Sequence, residues 1–166
     1  MNDLFKALSV LDRHGVRFIV IGAFSAVAQG YPLPTVDIDI TPSRDPENLE
    51  RLATALTELG AEVRLPGGET HSFPIDARFI GNSDSWTLAT SFGDVDILFQ
   101  PSGTNGYEDL RQDAVEMTLR GTPVLLASLR DVIRMKEASN RPKDQAQLPA
   151  LRQTLEVIRR RERESR

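Results

Sequence analysis

Apolar residues recur at two different spacings along this chain, and the switches between them outline its elements. Leu4, Leu8 and Leu11, with Phe5 beside them, share one face of a predicted helix that Gly15 ends. Phe18-Ile19-Val20-Ile21 is a continuous apolar run halted at Gly22, the mark of a buried strand. Ala23 to Gln29 is Ala-rich and predicts a short helix closed by Gly30. A second strand carries Val36, Ile38 and Ile40 on one face. Pro46 then opens a helix at its first turn, with Leu49, Leu52, Leu56 and Leu59 at helical spacing up to Gly60.

Ala61 to Leu65 predicts a third strand, and Pro66 to His71, around Gly67-Gly68, a loop. Ile75 to Ile80 reads as another strand. Trp86 to Thr90 and Asp94 to Phe99 read as a hairpin turning at Ser91-Phe92-Gly93. Gly106 to Ala114 predicts helix and Thr122 to Leu126 a short strand. Ser128, with Asp131 three residues on, caps a helix running through Ala138. Pro142 interrupts it, because the residue before proline resists helix. A final helix is expected from about Pro149, with Leu151, Leu155 and Ile158 on one face. The order predicts an α/β (α+β) protein with a mixed sheet flanked by helices. Residues 1–127 form the expected core, and 128–166 a helical C-terminal segment packed on it as one compact unit.

Composition changes this picture little. With 166 residues, 40% apolar and 27% charged, the chain suits one soluble globular unit. It has no cysteine, which excludes disulfides and thiolate metal sites and suits a reducing compartment. No basic leader precedes an apolar run, and no window is long enough for a membrane span, so a cytoplasmic location is expected. The net charge of −4 is uneven: residues 149–166 carry net +3, leaving −7 on the first 148. Arg159-Arg160-Arg161 is either a phosphate grip or a solvated helix end that complements the dipole.

The chemistry gathers on two acidic strands. In Val36-Asp37-Ile38-Asp39-Ile40, alternation puts Asp37 and Asp39 on the face opposite the apolar residues, about 7 Å apart. Two such carboxylates either wet a solvated face or hold a hard divalent cation such as Mg²⁺ between them. Gly93-Asp94-Val95-Asp96-Ile97 repeats the pattern. Asp96 lies deeper in its apolar run and is the expected third ligand, whereas Asp94, next to the turn, faces water. Three acids at one end of a sheet suit a two-metal site. The turn at Gly22-Ala23 exposes backbone N–H groups at a helix start, an anion site to which Ser25 adds a hydroxyl.

Gly22-Ala23, a thirteen-residue gap, Asp37-Ile38-Asp39 and the later Asp96 together resemble the signature of the polymerase-beta-type nucleotidyltransferase superfamily. The form Thr35-Val36-Asp37-Ile38-Asp39-Ile40 is similar to the AbiEii branch, the nucleotidyltransferase toxins of bacterial toxin–antitoxin systems. That branch also carries Lys, then Arg-x-Lys-Asp, matched here by Lys136 and Arg141-Pro142-Lys143-Asp144. The resemblance spans roughly Phe18 to Leu155. It implies a mixed-sheet nucleotidyltransferase core, an NTP substrate, and Mg²⁺ or Mn²⁺ held by Asp37, Asp39 and Asp96. It further implies phosphates resting on Gly22, Ala23 and Ser25, a tRNA 3′ end as acceptor, and a cognate antitoxin as partner. Two departures stand out: Ala23 where many members carry Ser, and Gln147 where related sequences often have Asp.

The basic corner has a reading of its own. Lys136 near one helix end, and Arg141 and Lys143 beyond the Pro142 break, aim cationic groups at a polyphosphate, with Asp144 orienting them. A solvated inter-helix corner is the plain alternative. His14 and His71 lack a metal-ligand pattern, Trp86 and Phe92 suit a core better than a base-stacking site, and Gly67-Gly68 is no Walker loop. Rival functions are transfer to a small molecule or protein, a minimal-nucleotidyltransferase antitoxin, and a non-catalytic nucleotide-binding module.

Overall fold

The computed structural model describes residues 2–166. The helix α1 (Leu4–Arg13) leads into β1 (Phe18–Ile21), and α2 (Gly22–Ala28) follows without a break. Next come β2 (Asp37–Pro42), α3 (Pro46–Glu58), β3 (Glu62–Arg64) and β4 (Thr70–His71). The chain continues through α4 (Ala77–Gly81), β5 (Ser85–Thr90), β6 (Gly93–Leu98) and α5 (Tyr107–Leu110), the last extended by a 3₁₀ turn over Arg111–Asp113. Strands β7 (Val115–Leu119) and β8 (Thr122–Leu126) precede α6 (Leu129–Ser139) and α7 (Pro142–Glu164). All eight strands join one mixed sheet in the order β4-β3-β5-β6-β2-β1-β8-β7. Two of its pairings, β2 with β6 and β1 with β8, are parallel.

Alternation along the central strands divides the protein. Ile38, Ile40, Val95, Ile97 and Leu88 point to one face, where Leu8, Leu11, Leu52 and Leu56 of α1 and α3 cover them completely. Ile19 and Ile21 point to the other face, against Val132, Met135, Leu148 and Leu151 of α6 and α7. On that second face the aspartates of β2 and β6 lie beyond this apolar patch, so the sheet meets a cleft there instead of a core. No helix among the described residues is long and apolar enough to cross a membrane.

Four local expectations are corrected. The Ile75–Ile80 stretch is not a strand: Asp76 caps α4 by accepting from the Phe79 N–H at 2.7 Å, and Ile80 is buried from a helix. The last helix starts at Pro142, not Pro149. Pro142 suits a first turn, and Pro149 is carried inside α7 because Leu148 and Leu151 are held by tertiary packing. The helix expected to reach Ala114 stops after one turn and its 3₁₀ extension, and β7 follows as an edge strand paired to β8. Its hairpin turns at Arg120-Gly121, both with positive φ, a geometry that matches strand twist and was not apparent without an Asn or Asp. Within the expected loop, Thr70–His71 adds a short strand.

Candidate active site

The register of three strands sets the site. Asp39 lies directly opposite Asp96 across the parallel β2–β6 pair, and Asp37 opposite Asp94. On the other side Asp39 stands opposite Ile21, the residue before the Gly22 turn. Gly22 has φ +66°, and a Cβ there would collide with the Asp39 carboxylate. Only glycine therefore lets the β1–α2 turn close over the acid. The α2 N-terminus has no side-chain cap, leaving its backbone donors free.

These residues line a cleft of about 560 Å³, with Gly22, Ala23, Asp37, Asp39 and Asp96 on the sheet side. Lys136, Arg141 and Lys143 line the opposite wall, from α6 and the start of α7. Ser25 is not part of it. The Ser25 side chain is fully buried and donates to the Ala127 carbonyl at 2.7 Å, tying α2 to the end of β8. Contrary to expectation, Ser25 is not placed to contact a phosphate, because its hydroxyl is locked in the core.

Burial is the main reason that the Asp39 carboxyl is pushed up to about 6, reinforced by repulsion from Asp96 and Asp37. Lys136 and Lys143 across the cleft oppose that rise without cancelling it. Asp96 is also raised, by burial first, with Arg64 working against the shift. Burial thus makes it costly for both acids to be charged at once without a cation.

The donors are all carboxylate oxygens, and glycine leaves space beside one of them, which fits a hard divalent cation. The three acids nevertheless do not form a finished cage. Among the described residues no group of three or more His, Cys, Asp or Glu is arranged to hold a metal ion. Asp96 is already engaged: Arg64 Nη2 lies 3.1 Å from its Oδ1, and the same guanidinium pairs with Asp94. Asp94, expected to face water alone, is thus half of a clamp. Arg64 was missed because nothing local links it to Asp96. Its only sequence signal is a lone cation in the alternating run Glu62-Val63-Arg64, and only the order β3-β5-β6 brings it across.

The basic corner is built around Asp144, which is buried at 1% exposure of its side chain. Lys136 Nζ approaches Oδ1 at 3.4 Å, while Arg141 Nε at 2.7 Å and the Ser139 hydroxyl at 2.9 Å donate to Oδ2. Burial would raise the Asp144 carboxyl, but these donors outweigh it and hold it down at about 2. Asp144 thus has both oxygens engaged by Lys136, Arg141 and Ser139, which ties α6 to the start of α7. Lys143 lies at the exposed rim.

Asp144→Ala should cost about 3 kcal/mol in urea unfolding, since partly shielded cations lose their partner. The loss should shrink as pH falls from about 4 towards 2. A carboxyl held low stabilises the fold above its ordinary range and stops doing so once the folded state protonates. The aromatic candidates belong to the core: Trp86 stacks on Phe79 with ring centres 4.5 Å apart and donates to the Ile80 carbonyl. His14 is paired with Glu58, and His71 packs beside Phe73.

No family model and no curated protein matches the chain; solved structures do. A candidate nucleotidyltransferase from Thermotoga maritima aligns over 93% of this chain and 91% of its own, at 20% identity and TM-score 0.54. The lincosamide antibiotic adenylyltransferase LnuA aligns over 90% of this chain and 94% of its own, at 15% identity and TM-score 0.59. The antibiotic-resistance factor ANT(2″)-Ia, solved with adenylyl-2″-tobramycin, aligns over 93% and 87%, at 17% identity and TM-score 0.57. The chain has the α+β fold of these nucleotidyltransferases, with its mixed eight-stranded sheet.

Proposed function

We propose that this chain is a nucleotidyltransferase that transfers NMP from an NTP to an acceptor hydroxyl in the presence of Mg²⁺ or Mn²⁺. One observation carries the reading: Asp39 and Asp96 stand side by side on parallel strands, under a glycine turn and facing Lys136 across a cleft. Asp37, Asp39 and Asp96 would hold the cation, which supplies Lewis-acid neutralisation of phosphate charge when bound. The triphosphate lies along the Gly22-Ala23 turn, whose backbone N–H groups serve where a Ser hydroxyl is missing. Lys136, Arg141 and Lys143 face the departing pyrophosphate and neutralise the charge that builds on it. The acceptor oxygen bonds to the α-phosphorus as the α–β bridging bond breaks, and its proton leaves towards Asp96. Mg²⁺-dependent release of pyrophosphate from an NTP, lost in Asp96→Ala, is the direct check. A protein that binds NTP but never releases pyrophosphate with any acceptor would be the non-catalytic module instead.

For the acceptor, the AbiEii resemblance supports the 3′ end of a tRNA, hence a cytoplasmic toxin restrained by a cognate antitoxin. A small-molecule hydroxyl is the second reading, supported by the fold shared with two antibiotic-modifying proteins. The lincosamide antibiotic adenylyltransferase LnuA is matched over 94% of its own chain. Labelled NTP with total RNA on one arm and aminoglycosides or lincosamides on the other separates the two. If RNA is the acceptor, deleting residues 159–166 should reduce its labelling and flatten the salt dependence, because Arg–phosphate contacts release counterions. Normal RNA labelling by the truncated protein at every salt concentration would leave that tail a solvated helix end.

A further inference from the structure

We propose that Arg64 is a positioning residue for the third carboxylate, a resident cation that competes with a divalent ion for Asp96. This deepens the nucleotidyltransferase reading and rests on it. The sheet itself makes the contact possible. Val63 stands opposite Leu88 on the core side, so Glu62 and Arg64 share the other face with Ala89 and Thr87 of β5. Those residues stand opposite Asp94 and Asp96 on β6. Because the intervening side chains are short, Arg64 reaches over a whole strand to both acids.

Its planar fork then does what an ammonium could not, giving one nitrogen to Asp94 and another to Asp96. The side chains are 28%, 32% and 23% exposed for Arg64, Asp94 and Asp96, so the clamp is partly shielded and worth more than a surface pair. The Asp96 Oδ1 is thereby occupied, so a cation that needs this oxygen must displace Arg64. The other charges around Asp96 are Asp37, Asp39 and Asp94, with Lys136 and Lys143 across the cleft. Arg64 is the cation bonded to Asp96 itself.

The test is Mn²⁺ binding to the full chain without nucleotide, read as loss of the free-ion paramagnetic signal. Arg64→Ala should bind Mn²⁺ about tenfold tighter than wild type, because the ion no longer has to displace a charge-assisted bond from Asp96 before taking its oxygen. Arg64→Gln, which keeps most of the side-chain bulk, should show the same gain and guards against a folding artefact. In an Asp96→Asn background the gain should fall below about twofold, because the group competed for is gone. Unchanged or weaker Mn²⁺ binding in both Arg64 variants would overturn the proposal. An undiminished gain in the Asp96→Asn background would also overturn it, reducing Arg64 to a general field. Asp39→Asn tells the two readings apart: if it binds Mn²⁺ like wild type, the metal reading of the cleft falls and the Arg64 role falls with it. If Asp39→Asn loses the ion while Arg64→Ala and Arg64→Gln leave its affinity unaltered, only the Arg64 role falls.

Discussion

Asp39→Ala is expected to lower nucleotidyl transfer by at least about 10³-fold while the protein still unfolds cooperatively, because the deepest acid of the cleft is lost. Radiolabelled NMP transfer in Mg²⁺ measures the first part and urea unfolding the second. Wild-type turnover in this variant would remove Asp39 from the site. The same residue makes a prediction about stability without metal. Its carboxyl, ordinarily at 3.8, is pushed up to about 6 in the fold, so between these values the folded state holds a proton that the unfolded chain has released. Stability contributed by the protonated form is fully present below about pH 4 and is lost as pH rises through 6. The drop is up to about 3 kcal/mol, from the interval between the two values. Asp39→Asn, neutral throughout, should flatten that slope and leave the metal-free protein more stable than wild type at pH 7. An identical slope in wild type and variant would show that Asp39 is not the strained acid.

Lys136→Ala is expected to reduce kcat/KM for NTP by about 10²- to 10³-fold, the usual cost of losing one charged contact in a shielded site. Lys136 is 15% exposed, bonded to Asp144 and directed across the cleft, whereas Lys143 sits at the exposed rim. Lys143→Ala should therefore cost less, about tenfold. Because Lys136 also opposes the rise of Asp39, its removal should move the Asp39 titration to higher pH in the metal-free protein, readable by carboxyl NMR. Unchanged kinetics in both lysine variants would return the corner to a solvated role. A shift of Asp39 with unchanged kinetics would confine Lys136 to the electrostatics of the empty cleft.

Local chemistry made much of this protein legible from its residues alone. Alternation in Val36-Asp37-Ile38-Asp39-Ile40 and in Val95-Asp96-Ile97 settles which side chains face a core, since a strand has a period of two. The Gly22 turn, the Ser128 cap and the Lys136–Asp144 corner depend on neighbours only a few residues away, so the order of amino acids announces them. Three features depended on partners distant in sequence. Ser25 looked like a ligand hydroxyl until the end of β8, 102 residues on, claimed it. Pro149 looked like a helix start, yet packing of Leu148 and Leu151 against β1 carries α7 through it. Arg64 had no visible role until β5 came between β3 and β6 and set it beside Asp94 and Asp96. Side-chain periodicity is written into the chain because it follows from backbone geometry. Strand order is not, because the contacts that choose it are made between segments far apart, and there a single guanidinium finds two carboxylates at once.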